Sequence, residues 1–172
     1  TPYLRPLSQP KFRQERHGLT PAERGTATHL VLQYLDFIDQ DIAGQVERLR
    51  LADKLTAEQA VAVDVRALER FLASPLAEEI RRGENVRREY RFTLLMDARD
   101  YNPAACGEDS ILLQGVVDCA LLEHDGITVL DFKTDRVTEE TLPQVAARYR
   151  LQLETYAEAL ARIFQQPIKA KY

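Results

Sequence analysis

"GVVDCALLEHDGITVLDFKTD", residues 115–135, reads as two apolar strands around a tight turn, with Asp118, Asp131 and Lys133 set inside those strands. Carboxylates are depleted from strand interiors, and an unpaired buried charge is costly. Asp125-Gly126 marks the turn, because Asp-Gly favours a two-residue hairpin loop. Side chains alternate across a strand, so Asp131 and Lys133, two apart, share a face. With His124-Asp125 as the loop, Asp118 stands opposite Asp131. With Asp125-Gly126 as the loop, Asp118 stands opposite Lys133, and Asp131 opposite Ala120. Either register puts Asp118, Asp131 and Lys133 on one face. Such pairs on exposed strands are ordinary solvated ion pairs. Here Val116, Val117, Leu121, Leu122, Val129, Leu130 and Phe132 surround the charges, which points to central strands.

Two carboxylates held close repel each other unless a cation lies between them. Lys133 supplies part of that charge, and a divalent metal supplies more. Hard oxygen ligands on a rigid sheet suit Mg²⁺ or Mn²⁺, with positions left for water and a phosphate oxygen. Lys133 would then orient or deprotonate a water and stabilise developing charge. This is an apparatus for phosphodiester hydrolysis.

Working outward, "VRREYRFTLLMD" (86–97) and "SILLQGVVDCALLE" (110–123) read as strands, followed by "ITVLDFKTD" (127–135). "ARDYNPAACGED" (98–109) is a loop, and "PIKAKY" (167–172) is a last edge strand. Upstream, Thr20, Pro21 and Glu23 form a capping box opening a helix with apolar positions through Leu30, Leu32, Leu35 and Ile38. A second box, Thr56 to Gln59, opens one long helix, followed by a short one after Pro75 that ends at Gly83. "LPQVAARYRLQLETYAEALARIF" (142–164) is a long amphipathic helix. The expected fold is mixed α/β, a central mixed sheet with flanking helices. Residues 1–19, rich in Pro, form an extended arm or linker. Residues 20–172 form a single domain, with a helical part (20–83) before the sheet and long helix (85–172).

The chain has 172 residues, 45% hydrophobic and 29% charged, as in ordinary soluble domains. No apolar run is long enough for a membrane span, and no signal peptide is visible. Cys106 and Cys119 fit no zinc spacing and cannot alone hold an iron–sulfur cluster; free thiols in a cytoplasmic protein are expected. No phosphate-binding Gly-x-x-x-x-Gly-Lys-Ser/Thr loop occurs, so no ATP site is expected. A net charge of -4 does not advertise nucleic-acid binding by bulk charge. Arg81, Arg82, Arg87 and Arg88 form a local basic cluster able to meet a phosphate backbone or to remain a solvated surface.

Four stretches in order, "RGTATH" (24–29), "GVVD" (115–118), "DFKTD" (131–135) and "QLETY" (152–156), resemble the nuclease domain of RecB-type helicase–nucleases in the PD-(D/E)XK superfamily. The absence of cluster-binding cysteines matches the AddA branch of that family. The resemblance implies a restriction-endonuclease-like core. Asp118, Asp131 and His29 are implied metal ligands for Mg²⁺, with Mn²⁺ as an alternative. Lys133 is the implied catalytic lysine, acting with Asp118 and Asp131, and the backbone carbonyl of Phe132 is a further implied ligand. Gln152 and Tyr156 are implied to lie beside the site, contacting DNA or water. Gly25 and His29, like Gln152 and Tyr156, are one helical turn apart and share a face. Glu89 either stands in the outer shell of the site or pairs with an arginine neighbour. The implied activity is Mg-dependent exonuclease cleavage during repair of double-strand ends by recombination. The implied partners are DNA as single strand or duplex end, helicase domains of the same polypeptide, and a second, AddB-type subunit in a bacterial cytoplasm. The alternative is a catalytically silent nuclease-fold module binding DNA or a partner.

Overall fold

The computed structural model describes residues 18–100, 104, 109–135 and 137–172. Most of the arm, Cys106 and Arg136 lie outside them. Five short helices precede the sheet, and each starts on a side chain that satisfies its own free amides. Thr20 and Glu23 close the capping box of α1 (Pro21–Tyr34). Asp41 caps α2 (Ile42–Leu51), and Thr56 with Gln59 boxes α3 (Ala57–Ala62). Asp64 caps α4 (Val65–Leu72), and Ser74 caps α5 (Pro75–Arg82), which ends at Gly83.

Two expectations change here. The first helix stops at Tyr34 instead of reaching Ile38. Buried Gln45 accepts from the Asp36 amide at 2.7 Å and donates to the Asp36 and Asp39 carbonyls at 2.9 Å, replacing helical partners. That clamp seats α2, a helix the sequence pattern did not reveal. The single long helix after Thr56 is two helices, because Asp64 accepts from the Ala67 amide at 2.9 Å and starts a new one.

The sheet contains β1 (Val86–Asp97), β2 (Ser110–Glu123), β3 (Gly126–Leu130) and β4 (Ile168–Lys171), in the spatial order β1-β2-β3-β4. The first three are antiparallel neighbours, while β4 runs parallel to β3 after the crossover helix α6 (Leu142–Phe164). A 3-10 turn, Ala98–Asp100, follows β1. The expected mixed sheet with flanking helices is present. No helix among the described residues is long and apolar enough to cross a membrane.

The hairpin takes the register with His124-Asp125 as its loop, since Glu123 pairs with Gly126 and Cys119 with Leu130. Gly126 has φ +142°, and a Cβ there would lie 2.7 Å from the Pro167 carbonyl oxygen, so only glycine fits. β3 is shorter than the sequence pattern suggests and leaves the β2 ladder at Leu130. The Asp131 amide donates to the Tyr172 carbonyl at 3.0 Å, and the Phe132 amide donates to Asp118 Oδ2 at 2.6 Å.

Each face of the sheet is covered by its own core. Ala27, Val31, Leu35, Ile42, Leu68 and Leu72 of the first helices pack with Cys119, Leu121 and Leu130. Ala157 and Leu160 of α6 pack with Phe92, Val117, Ala120, Ile127 and Val129 on the other side. In an unbroken strand Val117, Cys119 and Leu121 would share one face. They do not, so β2 changes phase near Asp118. β1 changes phase opposite it: Arg88 donates to the Leu32 and Leu35 carbonyls of the α1 region, whereas Tyr90 and Phe92 join the α6 core. Between them Glu89 has φ +50°, and the Glu89–Asp118 pair is missing from an otherwise continuous ladder.

The basic cluster is largely committed to the fold. Arg81 binds the Leu72 and Phe37 carbonyls and Glu78, Arg82 also pairs with Glu78, and Arg88 lies over the Phe37 ring. Cys119 is a free, buried thiol, and burial pushes its pKa up to about 12, so it remains protonated and unreactive.

Candidate active site

The phase change builds the centre of the site. It allows Glu89 of β1 and Asp118 of β2 to meet His29, which α1 carries against the sheet. Ligand atoms of these three side chains lie within 4.8 Å of one another. His29 Nδ1 is 3.2 Å from Asp118 Oδ1, while Asp118 Oδ2 is held by the Phe132 amide. Gly25 explains how α1 comes so close: a Cβ there would sit 3.0 Å from Thr134 Oγ1.

Asp131 and Lys133 extend the centre. Lys133 Nζ is 2.5 Å from Asp131 Oδ2, but no hydrogen bond of normal geometry forms, and that buried oxygen makes none elsewhere. Asp131 is turned towards Lys133 and is not in the close group of three, although the charges of Asp118 and His29 both act on it. Phe132 is fixed between them by its amide and by an edge contact with Phe71 at 5.3 Å.

The charges are poised. Pairing with Asp118 raises the pKa of His29 above its ordinary 6.5. Burial, and then the nearby Asp118 charge, raises that of Glu89. Burial also raises that of Asp131, against the opposing pull of Lys133. Among the described residues no ion pair includes Glu89; its acid lies with Asp118 and His29, and the charge of Arg91 acts on it as well. The donor set of one imidazole and two carboxylates, with the underbonded Asp131 alongside, fits a divalent metal of the oxygen-loving kind.

An open cleft of about 700 Å³ lies beside this centre and meets it at His29 and Lys133, with Gly25, Thr134, Asp135 and Tyr149 among its other walls. A second hollow of about 380 Å³ lies on the far side of Lys133, against α6, and includes Asp131, Leu153 and Tyr172. Gln152 and Tyr156 line neither. Gln152 donates to the Tyr156 hydroxyl at 3.0 Å, and the Tyr156 ring meets Phe92 edge-on at 5.7 Å. Gly115 makes room for that pair, since a Cβ would be 2.8 Å from both rings.

Sequence reasoning passed over Tyr149, Arg148 and, as a functional residue, Asp135. Tyr149 donates to Asp135 Oδ2 at 2.8 Å, Arg148 reaches both, and Lys133 Nζ sits 4.6 Å from the Tyr149 ring centre. The signal was available, because Tyr149, Gln152 and Tyr156 follow the spacing of one helix face. Nothing local flagged the left-handed backbone of Glu89.

Comparison with known proteins agrees with this geometry. Residues 3–172 match the sequence profile of the PD-(D/E)XK nuclease superfamily. The chain is 39% identical over 170 residues to the A-type subunit of the ATP-dependent helicase/nuclease of Acetivibrio thermocellus, a match covering 96% of this chain and 14% of that protein. It is 43% identical over 171 residues to the protein of that name in Moorella thermoacetica, covering 94% and 12%, and 37% identical over 177 residues to that of Bacillus cytotoxicus, covering 95% and 14%. The chain therefore spans about one seventh of the length of these relatives. With the acids, lysine and histidine gathered around the phase change of β2 and the end of β3, and a profile match over residues 3–172, the chain belongs to the PD-(D/E)XK nuclease superfamily.

Proposed function

We propose that this chain is the Mg²⁺-dependent exonuclease unit of a bacterial helicase–nuclease that processes double-strand DNA ends for recombinational repair. The observation that carries the reading is the half-buried group of His29, Glu89 and Asp118 beside the Asp131–Lys133 pair, with His29 and Lys133 lining an open cleft. Members of this superfamily typically use divalent metals. Here His29, Asp118 and Asp131 would hold one, with Glu89 beside them and the Phe132 carbonyl as a further donor. A bound divalent ion supplies Lewis acidity toward the scissile phosphate and lowers the pKa of a water. The protein's own residues do the rest. Phe132 fixes one oxygen of Asp118 and leaves the other for binding. Lys133 orients the attacking water and donates to the phosphate oxygens as charge builds on them. Gln152 and Tyr156 support the site from α6. We read residues 20–172 as the nuclease unit, residues 1–19 as its tether, and its partners as helicase domains and an AddB-type subunit.

The test is incubation of linear single-stranded, linear duplex and circular DNA with the chain, in Mg²⁺, Mn²⁺ or chelator. Metal-dependent loss of linear DNA is expected. Lys133→Ala should retain metal binding by calorimetry and lose cleavage, because a protonated amine does not ligate a cation. Intact DNA under every condition overturns the reading, and DNA binding without cleavage marks the silent module.

A further inference from the structure

Lys133 touches two groups, and only one of them is an acid. Its ammonium lies 2.5 Å from Asp131 Oδ2 and 4.6 Å from the centre of the Tyr149 ring, on a different element. A long lysine side chain at the mouth of a cleft has many rotamers and loses much entropy when held in one. Two contacts of different kind restrict it more than one does. The aromatic face attracts the cation without neutralising it, because the attraction comes from the ring quadrupole.

The ring is itself held. The Tyr149 hydroxyl donates to Asp135 Oδ2 at 2.8 Å, and Arg148 Nη2 donates to Asp135 Oδ1 at 2.8 Å and to that hydroxyl oxygen at 2.6 Å. Asp135 is two residues beyond Lys133 on the same segment. The lysine and the anchor of its aromatic wall therefore move together. Lys133, Asp135 and Tyr149 also line both hollows, so the ring stands beside the ammonium where the two meet.

We infer that Tyr149 is a positioning residue for the nuclease reaction: its ring, fastened to Asp135, holds the Lys133 ammonium against Asp131 at the mouth of the cleft. The inference rests on the nuclease reading. It assigns Tyr149 no contact with the reacting atoms. Removing the ring should slow turnover far more than it weakens DNA or metal binding, since the ring's contacts are with Lys133 and Asp135.

The experiment uses Tyr149→Phe, Tyr149→Leu and Asp135→Asn in the 172-residue chain, with Lys133→Ala alongside. Leu keeps helix propensity in α6. Tyr149→Leu should lower kcat at least tenfold, with KM for DNA and affinity for Mn²⁺ within about twofold of the wild type. Tyr149→Phe keeps the ring and should lose no more than about threefold in kcat, and Asp135→Asn should behave likewise. Independently of activity, the ε-methylene resonances of ¹³C-labelled Lys133, assigned through Lys133→Ala, should show an upfield ring-current shift in the metal-free chain. That shift should persist in Tyr149→Phe and vanish in Tyr149→Leu. A Lys133 resonance unmoved by Tyr149→Leu overturns the inference. So does full turnover by Tyr149→Leu while Lys133→Ala is inactive, a result that leaves the nuclease reading standing. A wild type as inactive as Lys133→Ala overturns the nuclease reading, and the role of Tyr149 with it.

Discussion

At Asp131 the fold holds a carboxylate whose ionisation it opposes. Burial raises its pKa, so folding favours the neutral form and the charge costs stability at neutral pH. Asp131→Asn keeps the shape and removes the charge. Its metal-free melting temperature should rise, on the order of 2 °C, while DNA cleavage is abolished. A fall in the calorimetric melting temperature would show instead that attraction to Lys133 outweighs desolvation. His29 has the opposite sign. Its pairing with Asp118 raises the imidazole pKa, so the folded chain holds that proton more tightly than the unfolded one. The resulting stabilisation is full below the ordinary value of 6.5 and is lost as pH rises through the higher folded value. The stability gap between the metal-free wild type and His29→Gln should therefore narrow with rising pH, and metal affinity should increase over the same window. Thermal melts across a pH series test this, and a gap of constant size would mean that the pair does not form.

At the scale of elements, the site depends on a defect in two strands. Glu89 and Asp118 face each other where both strands lose their alternation, and Glu89 occupies the left-handed region at φ +50°. A residue with a Cβ is strained there, and such strain gathers at functional positions. Glu89→Gly should consequently be more stable than Glu89→Ala by about 1 kcal/mol in urea titration, the reverse of the usual order inside a strand. Equal stability would mean that the backbone relaxes on substitution. Arg88, next along the strand, stitches the kinked part of β1 to the end of α1 through the Leu32 and Leu35 carbonyls. The helix bringing His29 and the strand bringing Glu89 are thus tied together by the residue between them.

Over the whole molecule the net charge is -4, and three of the four clustered arginines are occupied within the fold. Long-range attraction for DNA is correspondingly small. A strand delivered by a tethered motor would arrive at high effective concentration, so tight binding is unnecessary. On the proposed reading, the chain alone should bind single-stranded DNA weakly and release it as salt rises, with cleavage much faster when a helicase is joined to it. Fluorescence anisotropy across a salt series measures this, and tight, salt-resistant binding would make the chain self-sufficient. Sequence alone determined the capping of α1 and α3 and the full extents of β1, β2 and α6, and it singled out Asp118, Asp131, Lys133 and, through the resemblance, His29 as candidates. Capping, alternation and turn chemistry depend on near neighbours in the chain, so local rules read them. Tertiary structure decided the rest. Gln45 ended α1 from nine residues away, and the α1–α5 and α6 cores forced opposite phases on one strand. Asp118 bonded the Phe132 amide where a strand partner was expected, and Tyr149 met Lys133 across the sheet edge. Each of these follows from contacts between segments remote in sequence, whose energies no local pattern encodes.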